Sequence, residues 1–178
     1  ERRNAGVNIS TERRRSRERR EILRDPDQTA GRLRTVSMFE GLSTGQLMNL
    51  LHICSKHIYA RGQTIFSAGD ESNFMFVLVQ GRLQMVFPNG TVMDNDRPPE
   101  VVGELGLIIG DRRTVTVVAA TDCIVLLFGK EELFRVFHAD TDLWTKVLTN
   151  IIREQTVNLR TENDILKNLQ RKRVFQVL

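Results

Sequence analysis

Gly103-Glu104-Leu105-Gly106-Leu107-Ile108-Ile109-Gly110-Asp111-Arg112-Arg113-Thr114-Val115-Thr116 is the stretch on which the reading of the whole chain turns. A glycine precedes a carboxylate, an apolar turn follows, and an arginine then stands beside hydroxyl residues. Glycine lets the backbone approach another molecule closely. The Glu104 carboxylate can accept hydrogen bonds from sugar hydroxyls, and the planar fork of arginine suits a phosphate. One short segment therefore carries the groups needed to hold a ribose and a phosphate together. The same residues, taken alone, also fit a surface hairpin closed by an ion pair between Glu104 and Arg113.

Working outward, the text from Tyr59 to Phe128 consists of short apolar runs punctuated by glycine. Ile65-Phe66, Met75 to Val79, Leu83 to Phe87, Val115 to Val118 and Cys123 to Phe128 read as strands, with Gly62, Gly69-Asp70, Gly81, Gly90 and Gly103 at or near their boundaries. Asn89-Gly90 between two such runs predicts a hairpin. Asp94 to Glu100, with Pro98-Pro99, reads as a polar loop. Regular short strands of this kind predict a closed or two-sheet β structure.

The Gly-Glu, apolar, Arg, Thr order resembles the phosphate-binding cassette of cyclic nucleotide-binding domains. The Arg112-Arg113-Thr114 step and Thr121-Asp122-Cys123 resemble the version in cyclic-nucleotide-gated channels most. The resemblance extends over roughly residues 36 to 160, since Gly62, Ile65-Phe66, Gly69-Asp70, Met75-Phe76 and Gly81 also follow the family order. It implies an α+β fold: an eight-stranded β-roll flanked by N-terminal helices and a long C-terminal helix. It also divides the chain into a basic helical or disordered linker (1–34), a β-roll with lead-in helices (35–140) and a lid or dimerisation helix (141–178).

Ala30 to Ile58 reads as helical with a break at Glu40 to Ser43, where Ser43 or Thr44 caps a helix carrying Leu47, Leu50, Leu51 and Cys54 on one stripe. His52 and His57 would point apart on that helix, and no metal site is assigned. Glu131 to His138 reads as a short helix, and a long one runs from Asp140 to about Arg171. Leu148, Ile152, Leu159, Leu166 and Leu169 form a stripe on it, interrupted by Gln155 and Glu162, which calls for a partner: the ligand pocket, a second copy, or both.

The resemblance implies a role for each cassette residue. Gly103 gives close approach, Glu104 accepts from the ribose 2′-hydroxyl, and Leu105 supports the ribose. Arg113 pairs with the exocyclic phosphate oxygens, and Thr114 adds a hydroxyl and backbone donors. Val115 is bulkier than the family's usual residue and would crowd the phosphate. A residue count puts Asn158 near the position that reaches the base, although a solvated helix residue fits it equally. Thr114 leaves cAMP and cGMP both open as the ligand, and no cofactor is implied. Truncating Arg113 is expected to abolish binding and to spare the fold.

Composition narrows the classes. The 178 residues carry 40% hydrophobic side chains, enough for a core. Residues 1–24 hold nine Arg and four Glu, a net +5 of the chain's +4, which leaves −1 for the rest. The basic character is therefore local, which argues against nucleic-acid binding by the globular part. Within this tail, Arg13, Arg14 and Ser16 resemble the inhibitor segment of kinase regulatory subunits, while Arg17 departs from it; Asp25-Pro26-Asp27 then interrupts the helix. Cys54 and Cys123 read as reduced core residues of a cytoplasmic protein. No apolar run is long enough to span a bilayer, although the chain begins with Glu and reads as an excerpt whose parent could be membrane-embedded.

The expectation is thus a non-enzymatic cyclic nucleotide sensor that signals through its terminal helices to an output domain, a channel or a transporter. The alternatives are the sensor of a bacterial transcription regulator, a kinase regulatory subunit, or a degenerate interaction scaffold.

Overall fold

The alternation of apolar and polar residues is resolved into two sheets in the computed structural model, which describes residues 26–95, 98 and 100–174. The Arg13-Arg14-Ser16 pattern lies outside the described residues, as do the side chains of Leu166 and Leu169. Helix α1 (Pro26–Arg34) opens at the proline, and a 3-10 turn (Ser37–Phe39) and α2 (Thr44–Ile53) follow. Eight strands come next: β1 (Ser55–Tyr59), β2 (Thr64–Phe66), β3 (Phe74–Gln80), β4 (Leu83–Val86), β5 (Val92–Asn95), β6 (Glu100–Val102), β7 (Thr116–Ala119) and β8 (Cys123–Gly129). Helix α3 (Glu104–Ile109) sits between β6 and β7; α4 (Lys130–Ala139) and the long α5 (Thr141–Val174) complete the chain.

One sheet has the order β1-β8-β3-β6 and the other β2-β7-β4-β5, and every pairing is antiparallel. β3 and β8 are apolar almost throughout because both of their faces are covered, and successive side chains on a strand point to opposite faces. Phe76, Leu78, Cys123 and Val125 face the space between the sheets with Phe66, Leu83 and Val117. Met75, Val77, Leu126 and Phe128 face the helices, where they join Phe39, Leu47, Leu50, Leu133, Phe137, Leu143 and Val147. Ala30 and Leu33 of α1 are buried in this second core, so the folded unit reaches back before residue 35.

Two expectations are corrected. The helical reading to Ile58 stops at Ile53, because Cys54 turns extended (φ −79°, ψ 155°) and Ser55–Tyr59 pairs along β8. His57 is therefore a strand residue. The expected polar loop is flanked by β5 and β6, whose short length and mixed composition hide them from the alternation. The Ser43 cap is a full capping box: Ser43 Oγ accepts from the Gln46 N–H (3.2 Å) and Gln46 Oε1 accepts from the Ser43 N–H (3.0 Å).

Candidate cyclic nucleotide site

The cassette is neither a hairpin nor a bare turn. Gly103 adopts φ 86°, ψ 12° and starts α3, and Gly110 ends it at φ 78°. This left-handed conformation is strained for residues with a Cβ, which is why glycine brackets the helix. Leu107 is the inward anchor (0% exposed), whereas Leu105 and Ile109 remain exposed on the outer side.

Arg113 is buried (5% exposed) at the end of the cassette. Its Nη1 donates to the Gly103 carbonyl at 2.9 Å, and its Nη2 donates to the Phe74 carbonyl. The guanidinium carbon lies 4.1 Å from the Phe66 ring centroid and 5.0 Å from that of Phe74. Its backbone N–H reaches the Asp70 carbonyl (2.9 Å), its carbonyl accepts from Gly69 N (2.8 Å), and Arg112 Nη1 bonds the Gly69 carbonyl (2.8 Å). Gly69-Asp70 is thus the turn to which the arginine pair is fastened. Burial pulls the Arg113 pKa down, while Glu104 and Asp70 pull it up; a guanidinium remains charged throughout.

This geometry changes one expectation. Arg113 ties the start of β3 to the start of α3, so its truncation takes a donor from two carbonyls, and that of Gly103 keeps only the longer bond from Leu107 N (3.4 Å). Truncation is therefore expected to cost stability, on the order of 1–3 kcal/mol for buried groups left unpaired, where the sequence reading expected the fold to be spared.

Glu104 begins α3 half-buried, and burial pushes its carboxyl up to about 7. Glu154 of α5 and Glu100 of β6 add to that push; a hydrogen bond from its own backbone and the charge of Arg113 oppose it. The Arg113 donors go to carbonyl oxygens, and among the described residues Glu104 and Arg113 form no ion pair. Thr114 is exposed beside the cassette, and Val115 is partly buried against the core between the sheets.

Asn158 is exposed on α5 and makes no side-chain hydrogen bond to the cassette among the described residues. It lies one turn beyond Glu154, on the same helix face, and Glu154 is close enough to act electrostatically on Glu104. The first half of α5 is fastened elsewhere. Asn150 Nδ2 donates to the Met38 (3.2 Å) and Glu40 (2.8 Å) carbonyls, Ser37 Oγ donates to Glu154 Oε2 (2.8 Å), and Arg153 pairs with Glu40 (3.5 Å). At the helix start, Gln46 Nε2 bonds Asp140 Oδ2 (3.1 Å) and Asp142 Oδ2 (2.9 Å). Sequence reasoning missed Phe66, Phe74, Ser37 and Asn150, since nothing in their local spacing marks them. Among the described residues no group of His, Cys, Asp or Glu could hold a metal, and no helix is long and apolar enough to cross a membrane.

The chain is 27% identical over 88 residues to a cAMP-dependent protein kinase regulatory subunit of Eremothecium gossypii, covering 49% of this chain and 19% of that one. It is 31% identical over 96 residues to a cyclic nucleotide-gated potassium channel of Rhizobium etli, covering 51% and 25%. The match therefore spans a quarter or less of these relatives. The solved N-terminal domain of a transcriptional regulator from Streptomyces coelicolor superposes with a TM-score of 0.61 at 28% identity, covering 75% of this chain and 94% of that domain. Residues 56–140, which run from β1 through the cassette to the end of α4, match the family model of the cyclic nucleotide-binding domain.

Proposed function

We propose that this chain is a regulatory module that binds cAMP or cGMP in the cassette and transmits binding through α5 to an output domain of its parent, a channel or transporter. The observation that carries the reading is the cassette itself: Gly103 in the left-handed conformation, Glu104 at the first position of α3, and a buried guanidinium at Arg113. Arg113 would exchange carbonyl partners for the cyclic phosphate, with Thr114 beside it. Glu104 would accept from the ribose hydroxyl, Leu105 would support the sugar, and Asn158 would meet the base. Val115 is turned to the core between the sheets, which supports its leaving the phosphate uncrowded.

Signalling requires the nucleotide to favour one arrangement of α5 over another, because equal affinity for both shifts nothing. The proximity of Glu154 to Glu104 supports a link between site and helix. Ile152 (64% exposed), Val157 (55%) and Leu159 (60%) support a partner for α5, either the covered ligand or a second copy of the chain. The module acts without catalysis and in the cytoplasm in this reading. The Streptomyces likeness keeps the sensor of a transcription regulator as the second reading.

The test is thermal melting of the chain with cAMP, cGMP and 5′-AMP. A ligand that binds only the folded state at a hundredfold excess over its Kd adds about 2.7 kcal/mol. A clear rise in Tm with a cyclic nucleotide and none with 5′-AMP is expected; equal behaviour with all three contradicts the reading.

A further inference from the structure

Two buried side-chain polar atoms have no hydrogen-bond partner among the described residues: Ser72 Oγ and Arg113 Nε. They belong to one junction. Arg113 holds the loop before β3 at both ends, through its backbone N–H to the Asp70 carbonyl and its Nη2 to the Phe74 carbonyl. Ser72 lies between those two anchors and is 6% exposed. Its hydroxyl faces the first turn of α3, so close that a Cβ on Gly106 would clash with Ser72 Oγ.

Packing does not account for the hydroxyl. Alanine would fill nearly the same space under Gly106 without a polar atom to strip of water, and a buried polar group left unpaired is a cost that native proteins rarely carry without use. The chemistry of the pair narrows the use. The Arg113 Nε–H can only donate, and a serine hydroxyl can donate as well. A group that serves both must offer lone pairs, and an anion does so best because charge-assisted bonds are the stronger ones.

We propose that Ser72 is a further ligand-binding residue of this site, its hydroxyl donating with Arg113 to the phosphate of the bound cyclic nucleotide. The inference rests on the nucleotide reading above and adds a donor from outside the cassette. It makes the loop between β2 and β3 part of the phosphate pocket rather than only a support for it.

The experiment measures the Kd for cAMP and cGMP and the Tm of the wild-type chain, Ser72→Ala and Ser72→Cys. Ser72→Ala should bind about tenfold more weakly, the scale of one hydrogen bond to a charged group, with Tm unchanged or raised. Ser72→Cys, which keeps the shape with a larger atom and a weaker donor, should fall between. Wild-type affinity in Ser72→Ala overturns this inference alone. A weaker Kd accompanied by a lower Tm also overturns it, since that is the signature of a packing role. Absence of nucleotide binding by the folded wild type overturns the nucleotide reading and this inference together, and is seen before any variant is made.

Discussion

The cassette and the long helix break the usual rule of burial in opposite directions. Around α3, polar groups are inside: the Arg113 guanidinium, the Ser72 hydroxyl and much of Glu104. Along α5 beyond Ile151, apolar groups are outside: Ile152, Val157 and Leu159. A buried guanidinium is costly unless it is paired, and exposed apolar surface marks a place of contact. In the proposed reading the cassette serves a polar ligand and the helix an apolar surface. The two are linked by charge, since Glu154 of α5 helps to raise the Glu104 carboxyl.

The largest effect should come from Arg113→Ala. Affinity for the cyclic nucleotide should fall by about 2–5 kcal/mol, as for a desolvated charge pair that loses one partner, and chemical denaturation should show a stability loss as well. Retained affinity would break the cassette half of the comparison. Gly103→Ala should follow, because the left-handed backbone costs about 1–2 kcal/mol and the new Cβ would press on Arg113 Nη1. Both unfolding and binding should report it.

Asn150→Ala tests the helix half. It removes the amide that bonds the Met38 and Glu40 carbonyls and should cost about 1–3 kcal/mol in thermal or denaturant unfolding, while Ile152→Ser on the exposed side should leave monomer stability within about 0.5 kcal/mol. Equal losses would mean that both faces of α5 are structural.

How much of this was legible in the sequence depends on what encodes each feature. The Ser43 cap, the Asn89-Gly90 hairpin and the strands β3, β4 and β8 follow from local chemistry, and all are present. Thr91 N bonds Asn89 Oδ1 at 2.9 Å and Gly90 has φ 83°, as such a turn requires. β1 was hidden because Ile53, Cys54 and Ile58 continue a helical spacing, and only pairing with β8 makes Ser55–Tyr59 extended. Gly103, Glu104 and Arg113 could be identified from their order, but the burial of Arg113 between Phe66 and Phe74 could not. Those rings come from separate strands and meet only in the folded roll. The same holds for α5, whose buried side (Leu143, Val147, Asn150, Ile151) differs from the leucine stripe seen first in the sequence.

The smallest effect concerns protons. Burial pushes the Glu104 carboxyl up to about 7, above its ordinary value. Between the ordinary carboxylate range and about 7, the folded state keeps a proton that the unfolded chain has released, so stability falls as pH rises through that window. Glu104→Gln should flatten this slope in melting curves from acidic to neutral pH, and Glu154→Gln should shift the window downward by removing a neighbouring negative charge. An unchanged window in Glu154→Gln would separate the cassette from the helix.

Calorimetric titration of the wild-type chain with cAMP and with cGMP tests the central claim most directly. The account predicts saturable binding of one nucleotide per chain by at least one of the two. A folded chain that binds neither would contradict it, leaving the cassette a structural element of a scaffold.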